Sequence, residues 1–406
     1  ILEEYATTQN VLMEMMMTRA DPGGGFSYYE FSHYFHQYLA SGLELIEKLQ
    51  PDVWISVASP HLMYDYVLYE IFQKNNITCI ILTDTVVPGR LYIVDKLKDA
   101  SRTIKKEYLQ LQKDGEDVKN VPKDILEYLR KVRGNYEDGV PYTSVMHYKE
   151  TEQNYFSEAE ARKRINSELH SLKKKIRQYT YSEIFRKKTQ APLHYYKEQD
   201  VRWEMSFLSR QSYDKVRLNL LINRRRLIDK YDSYSKVPDL DEKFVYIPLH
   251  WQPESTSVPD GGRLSDQLFL VKLLHASLPE GVKVYVKECP AQFEWHRGSF
   301  ARPDWYYDEL ARLPNVTLIK LDISTYTLID YSLCVLTLTG TAGFEALCRG
   351  KPVLLGGDVI WYKDAPGVYR VKSAIDMKRA IESILVDTSV DARQFELFLT
   401  AFGQST

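Results

Sequence analysis

The stretch TLTGTAGFEALCRGKPVLLGG, residues 337–357, gathers several kinds of chemistry in one place. Its apolar start reads as a buried strand, and Gly340-Thr341-Ala342-Gly343 reads as a turn that opens a helix. Gly350-Lys351-Pro352 then breaks the helix before a second strand. A strand that runs into small hydroxyl residues and a helix N-terminus collects backbone N–H donors where an anion can sit. The small side chains of Thr339, Gly340, Thr341, Ala342 and Gly343 let a phosphate approach that backbone closely. Glu345, on the first helical turn, is placed to accept hydrogen bonds from ribose or sugar hydroxyls. Upstream, VKECP at 286–290 ends another strand with Lys287 and Glu288, the position where open α/β sheets bind ligands.

Proton chemistry has three candidate sources. The loop HWQPESTSVPDGG, residues 250–262, follows a strand and carries Gln252, Glu254, Ser255, Ser257 and Asp260. Loops after strands on a rigid scaffold are where chemistry tends to sit. Glu254 is the leading carboxylate there, as a base or as a nucleophile. Asp260 heads Asp-Gly-Gly, which a plain turn explains equally well. Nearer the start, His61 follows Ser59-Pro60 at a strand end, and Asp65 lies one helical turn later. That spacing allows a hydrogen bond that would tune the imidazole as a base, and helix capping is the duller alternative. Asp84 and Arg90 follow the next strand, and Arg90 suits a carboxylate or a phosphate.

These residues need elements to hold them, and three regions emerge. Residues 1–95 read as an α/β lobe: a helix at 29–49, a strand at 53–58, a helix at 64–74, a strand at 78–82 and a loop at 83–90. Apolar strands such as DVWISVA and TCIILT argue a parallel sheet covered on both faces. With only two strands visible, the expectation is that others are shortened or precede Ile1. Residues 96–240 read as a helical, charged insertion. Ten Lys/Arg face two acidic residues over 162–188, with Ile165, Leu169, Leu172 and Ile176 at helical spacing. Residues 241–380 return to β-α-β alternation and predict a doubly wound sheet. Residues 381–406 predict a helix packing back on the first lobe.

Composition narrows the class. At 406 residues, two domains are expected. The net charge of −2 gives no global bias toward nucleic acid. Four cysteines with no CxxC pair suit a reducing cytosol, without disulfides or a zinc site. No apolar run reaches membrane-spanning length. A cytoplasmic protein is expected, with peripheral contact to an anionic inner membrane face through the basic helices of 162–188. No His/Asp cluster has ligand spacing, so neither a metal nor any other cofactor is expected to be required.

YIPLHWQPESTS at 246–257, VKECP at 286–290 and TGTAGFEALCRGKPVLLGG at 339–357 occur in this order. Together they resemble the capsular polysaccharide biosynthesis proteins, a group that includes bacterial Kdo transferases. The likeness is firm over 244–371, weaker over 51–96, and absent from the helical middle. It implies a GT-B fold of two Rossmann-like lobes and a nucleotide-sugar donor, CMP-Kdo-like or a diphosphate hexose. It also implies a capsular polysaccharide or glycolipid acceptor. In that family the second motif commonly ends in His-Pro, the histidine helping to hold the donor phosphate. Here Cys289 stands before Pro290, which would pass that role to Lys287 or to the Gly340–Gly343 backbone. Asp84 and Arg90 would then face the acceptor. Trp361-Tyr362 would stack on sugar or base, or else pack in the core. The alternatives are a nucleotide-sugar 2-epimerase of similar architecture and a non-catalytic glycan-assembly partner.

Overall fold

The computed structural model describes residues 2–19, 27–115, 121–134, 157–177, 210–294 and 301–406. The upstream half of the basic stretch, to residue 177, lies within them; the remainder of 162–188 lies outside.

The C-terminal part of the chain builds a six-stranded, all-parallel sheet. Its strands are β4 (Lys243–Pro248), β5 (Val282–Lys287), β6 (Val316–Leu318), β7 (Cys334–Thr337), β8 (Val353–Leu355) and β9 (Val368–Arg370). Their apolar runs follow from burial on both faces. In β4, Phe244 and Tyr246 enter one hydrophobic core while Val245 and Ile247 enter the other. The strand order is β6-β5-β4-β7-β8-β9. Counted within this lobe it is 3-2-1-4-5-6, the doubly wound dinucleotide-binding order. The winding reverses between β4 and β7, so a crevice opens beyond their C-terminal ends.

A smaller sheet occupies the N-terminal part. β1 (Val53–Ser56) lies parallel to β2 (Thr78–Asp84), and β3 (Leu91–Val94) runs antiparallel to β2. The expectation of a sheet covered on both faces is corrected here. Cys79, Ile81, Tyr92 and Val94 point into the core, whereas Val53, Ile55, Leu91 and Ile93 on the other face are exposed. The loop expected at 83–90 is likewise shorter than read, since β2 continues to Asp84 and β3 begins at Leu91.

Helices of the middle region share cores with the larger sheet. The helix Glu158–Arg177 packs along Arg210–Tyr234. Ala161, Ile165, Leu227, Ile228 and Tyr231 from this pair join Val245, Ile247, Val284 and Val286 in one core. The basic side chains are largely matched: Arg162 pairs with Asp229 and Asp232, Arg164 with Glu160 and Glu294, and Arg226 with Asp304. Among the described residues of Glu158–Arg177, Lys163, Lys173 and Lys174 remain exposed cations. The final helix, Ala392–Ser405, packs on Arg102–Asp114. No helix among the described residues is long and apolar enough to cross a membrane.

Candidate active site

Beyond β4, the chain passes Leu249 and turns at His250. Two buried amides hold the loop. The His250 N–H donates to Gln267 Oε1 at 2.6 Å while Gln267 Nε2 donates to the His250 carbonyl at 3.2 Å. Gln292 treats the Gln252 backbone the same way, at 2.9 and 3.2 Å. Arg302 adds a third tie, donating to the His250 carbonyl at 2.9 Å and to Gln252 Oε1 at 2.7 Å.

Arg302 is itself fixed by Glu288 through two bonds of 2.9 and 3.2 Å, in a pair whose side chains are 1% and 0% exposed. The Tyr307 hydroxyl and the Cys289 N–H also donate to that carboxylate, at 2.8 and 2.9 Å. Buried charges persist only when paired and hydrogen-bonded in this way.

The end of β7 meets this loop through His250. Leu338 N–H approaches Nε2 at 3.3 Å and Thr337 Oγ1 lies 2.9 Å from it. The other ring nitrogen, Nδ1, is 3.2 Å from Thr256 Oγ1, which donates to Glu254 Oε2 at 2.7 Å. Burial, and next the charge of Arg302, push the His250 pKa down to about 4, so the ring is neutral near pH 7. Thr337 Oγ1 also accepts from the Gly340 N–H at 3.2 Å, and Thr339 Oγ1 donates to the Thr256 carbonyl at 2.6 Å.

Gly340 and Gly343 are required by space. A Cβ at Gly340 would come within 2.8 Å of Thr337 Oγ1 and 3.1 Å of the His250 ring. One at Gly343 would strike the Tyr362 hydroxyl, which donates to the Gly340 carbonyl at 2.5 Å. The helix that follows, Thr341–Cys348, therefore starts on a tightly packed turn.

A cleft of about 580 Å³ lies between this edge and the N-terminal sheet. Ser59, His61, Asp84 and Arg90 line it from one side, and Ser255, Thr256, Asp260, Thr339 and Thr341 from the other. Ser59 Oγ donates to Asp260 Oδ1 across the gap at 3.2 Å. His61 Nδ1 lies 2.6 Å from the Ser59 carbonyl, so Nδ1–H donates and Nε2 is the basic nitrogen. Burial raises the Asp65 pKa, opposed by the charge of His61 and by nearby backbone N–H groups, and its Oδ1 is buried without a hydrogen-bond partner.

Of the residues singled out from sequence, His61, Asp84, Arg90, Asp260, Thr339 and Thr341 thus share one cleft. Glu254 is tied to them through Thr256, and Asp65 feels the charge of His61, whose Nδ1 is taken by the Ser59 carbonyl and not by that carboxylate. Gly340, Ala342 and Gly343 form the turn and first helical residues beside them.

Four positions differ from expectation. Glu288 is closed inside its pair with Arg302, because a carboxylate at this buried strand end needs a countercharge. Lys287 is also buried, its ammonium donating to the Ile323 carbonyl at 2.5 Å, and burial lowers its pKa to about 8. Glu345 is buried one turn below Thr341, its pKa raised by burial to about 7. Arg90 lines the cleft, yet its guanidinium donates to Asp124, to the Gly403 carbonyl and to Thr406.

Cys289 stays a thiol, since burial pushes its pKa up to about 12. Trp361 and Tyr362 are buried, Trp361 stacking on Phe402 with ring centroids 4.3 Å apart, and both also line the cleft. Sequence reasoning missed His250, Arg302, Gln267 and Gln292 as organisers. The one available signal was the position of His250, directly after a strand. Among the described residues, no group of three or more His, Cys, Asp or Glu side chains could hold a metal ion.

Residues 105–391 match the family model described as capsule polysaccharide biosynthesis protein. No functionally curated protein matches the chain. Among solved structures, the chain is similar to the KpsC beta Kdo 2,7 transferase of Thermosulfurimonas dismutans. That match has 12% identity and a TM-score of 0.36, covering 93% of this chain and 88% of that one. The beta Kdo 2,4 transferase of the same organism's KpsC matches at 18% identity and a TM-score of 0.25, over 46% of this chain and 55% of that one. The UDP-GlcNAc 2-epimerase of Methanocaldococcus jannaschii matches at 12% identity and a TM-score of 0.32, over 91% and 79% respectively.

Proposed function

The chain belongs to the capsule polysaccharide biosynthesis protein family, and from that premise we propose that it is a glycosyltransferase. The reaction moves a sugar from a nucleotide-sugar donor to a surface polysaccharide or glycolipid acceptor. The observation that carries this reading is the cleft itself. At the switch point of a doubly wound sheet, the Thr339–Thr341 turn faces His61 of the other lobe.

The donor lies across the ends of β4 and β7, its phosphate against the Gly340 turn and the start of the Thr341–Cys348 helix. Backbone N–H groups there meet the charge that develops as the phosphate departs, which is where electrostatic stabilisation acts most strongly. His61 Nε2 takes the acceptor proton, with Asp65 stabilising the imidazolium that forms. Glu254 stands on the donor side and acts on the reacting sugar, as a nucleophile or by stabilising positive charge at the anomeric carbon. Neither a metal nor a cofactor is required in this scheme.

Peripheral contact with an anionic inner membrane face through the 162–188 region belongs to the same proposal. Its supporting cations among the described residues are Lys163, Lys173 and Lys174.

A thermal-shift panel of CMP, CDP, UDP, GDP and dTDP tests the donor half. A ligand at a hundred times its Kd stabilises by about 2.7 kcal/mol. Selective response to CMP supports a Kdo-type donor, and selectivity for a diphosphate redirects the search to hexoses. Donor turnover that ignores added glycan would mark an epimerase. No response to any nucleotide, with or without acceptor, would leave an assembly partner as the better description.

A further inference from the structure

Two loops meet at the crevice, and one side chain joins them. The loop after β4 carries Glu254 and Thr256, and the end of β7 with the loop after it carries Thr337, Leu338 and Gly340. His250 bonds to both.

The direction of each bond follows from what each group can do. A backbone N–H only donates, so the Leu338 N–H at 3.3 Å makes Nε2 an acceptor. The proton of a neutral ring then sits on Nδ1, which faces Thr256 Oγ1 at 3.2 Å. Having accepted from Nδ1–H, Thr256 directs its own hydroxyl proton to Glu254 Oε2 at 2.7 Å. Thr337 Oγ1 accepts from the Gly340 N–H and lies 2.9 Å from Nε2, donating to it, so that Nε2 shares its one lone pair between this hydroxyl and the Leu338 N–H. Every donor in this run finds an acceptor, from the Gly340 turn to the Glu254 carboxylate. Burial agrees with the assignment, since it holds the ring neutral. Packing agrees as well: a Cβ at Gly340 would reach within 3.1 Å of the His250 ring, so turn and imidazole are in direct contact.

We infer that His250 is a positioning residue whose Nδ1-protonated ring sets the Glu254 carboxylate in register with the phosphate-holding Gly340 turn. The inference rests on the glycosyltransferase reading, in which the turn receives the leaving phosphate and Glu254 acts on the sugar. A displacement of one against the other by an ångström is enough to cost on the order of a hundredfold in rate. Nucleotide binding depends on the turn alone and is nearly indifferent to that register.

The test uses the full chain with kcat, KM and nucleotide Kd measured together. Thr256→Val cuts the run between His250 and Glu254 and leaves the turn intact. It is expected to lower kcat by about ten- to a hundredfold, with nucleotide Kd changed by less than about threefold. Thr256→Ser, which keeps the hydroxyl, restores kcat. In a Glu254→Gln background, Thr256→Val adds little further loss, because the two act through one connection. Nitrogen-15 spectra of the histidine side chains in the wild type, assigned by difference from His250→Gln, supply a readout independent of turnover. They are expected to show His250 as the Nδ1–H tautomer at pH 7.

An Nε2–H tautomer or an imidazolium at pH 7 overturns the inference even if no variant folds. So does a Thr256→Val enzyme with wild-type kcat, or one in which Kd and kcat fall together. A wild type that turns over no donor under any condition defeats the glycosyltransferase reading, and the inference with it. Normal wild-type turnover beside an unaffected Thr256→Val defeats the inference alone.

Discussion

The Glu288 carboxylate accepts from Arg302, Tyr307 and the Cys289 amide, and its side chain is fully shielded from water. Removing one partner of such a pair leaves an uncompensated buried charge. Arg302→Ala is therefore expected to cost about 3–5 kcal/mol, read as a lower urea midpoint. Arg302→Met with Glu288→Leu should cost far less, and equal losses would mean that the charge pair is not what matters. Glu345 allows a pH test. Burial raises its pKa from 4.5 to about 7, so the folded state binds the proton more tightly than the unfolded chain. The stability this provides is fully present below about pH 4.5 and is lost as pH rises through about 7. Glu345→Gln keeps the neutral form at every pH. Its Tm should match the wild type near pH 5 and exceed it at pH 8. A variant less stable at pH 8 would mean that Glu345 is ionised and paired there. At this scale the sequence revealed residue types but not their surroundings. Glu254 and Glu288 look alike in a string of letters. What separates them is Arg302, which reaches Glu288 only once a chain segment has folded back beside β5.

At the scale of elements, the strand–turn–helix from Cys334 to Cys348 was readable because its apolar run, its small residues and its glycines all agree on one geometry. What the letters did not show is how crowded the turn is. Gly343 lies against the Tyr362 hydroxyl and 2.9 Å separates its would-be Cβ from Thr337 Cγ2. Tyr362 in turn holds the Gly340 carbonyl. Gly343→Ala should therefore cost about 1–3 kcal/mol by overpacking and should loosen the Gly340 turn. Nucleotide affinity, measured by calorimetry, is expected to fall with it. A destabilised variant with unchanged nucleotide affinity would place the phosphate elsewhere. β3 and β9 escaped the sequence reading for a shared reason. Each is short and only partly buried, Leu91–Val94 alternating between exposed and buried residues, so neither makes a continuous apolar run. The basic helix shows the opposite case. Its apolar spacing was legible, and so was the local partner Glu160 of Arg164, while the other acids that neutralise Arg162 and Arg164, namely Asp229, Asp232 and Glu294, lie far away in sequence.

Across the whole molecule, the two sheets meet through a common core. Tyr69, Phe72 and Ile81 of the smaller lobe belong to the same hydrophobic cluster as Phe244, Phe344 and Trp361 of the larger one. The final helix closes that cluster with Phe395, Phe398 and Phe402. Phe402 stacks on Trp361, and Phe398 meets Tyr108 of the Arg102–Asp114 helix edge-on at 5.8 Å. Arg90 of the smaller lobe ties to the same helix through the Gly403 carbonyl at 2.8 Å. A sequence shows two lobes as two runs of alternating strands and helices; it does not show that they bury a surface together. That shared burial has a thermodynamic consequence. Lobes with separate cores unfold in separate steps, whereas lobes with one core lose it together. Denaturation is therefore expected to show a single transition, with far-UV circular dichroism and tryptophan fluorescence reporting the same midpoint. Phe398→Ala removes a fully buried ring at the seam and should cost about 3–5 kcal/mol. Because the seam serves both lobes, both probes should shift by the same amount. Two midpoints in the wild type, or a Phe398→Ala shift confined to one probe, would show that the lobes hold together without sharing their stability. The cleft between them would then open independently of unfolding.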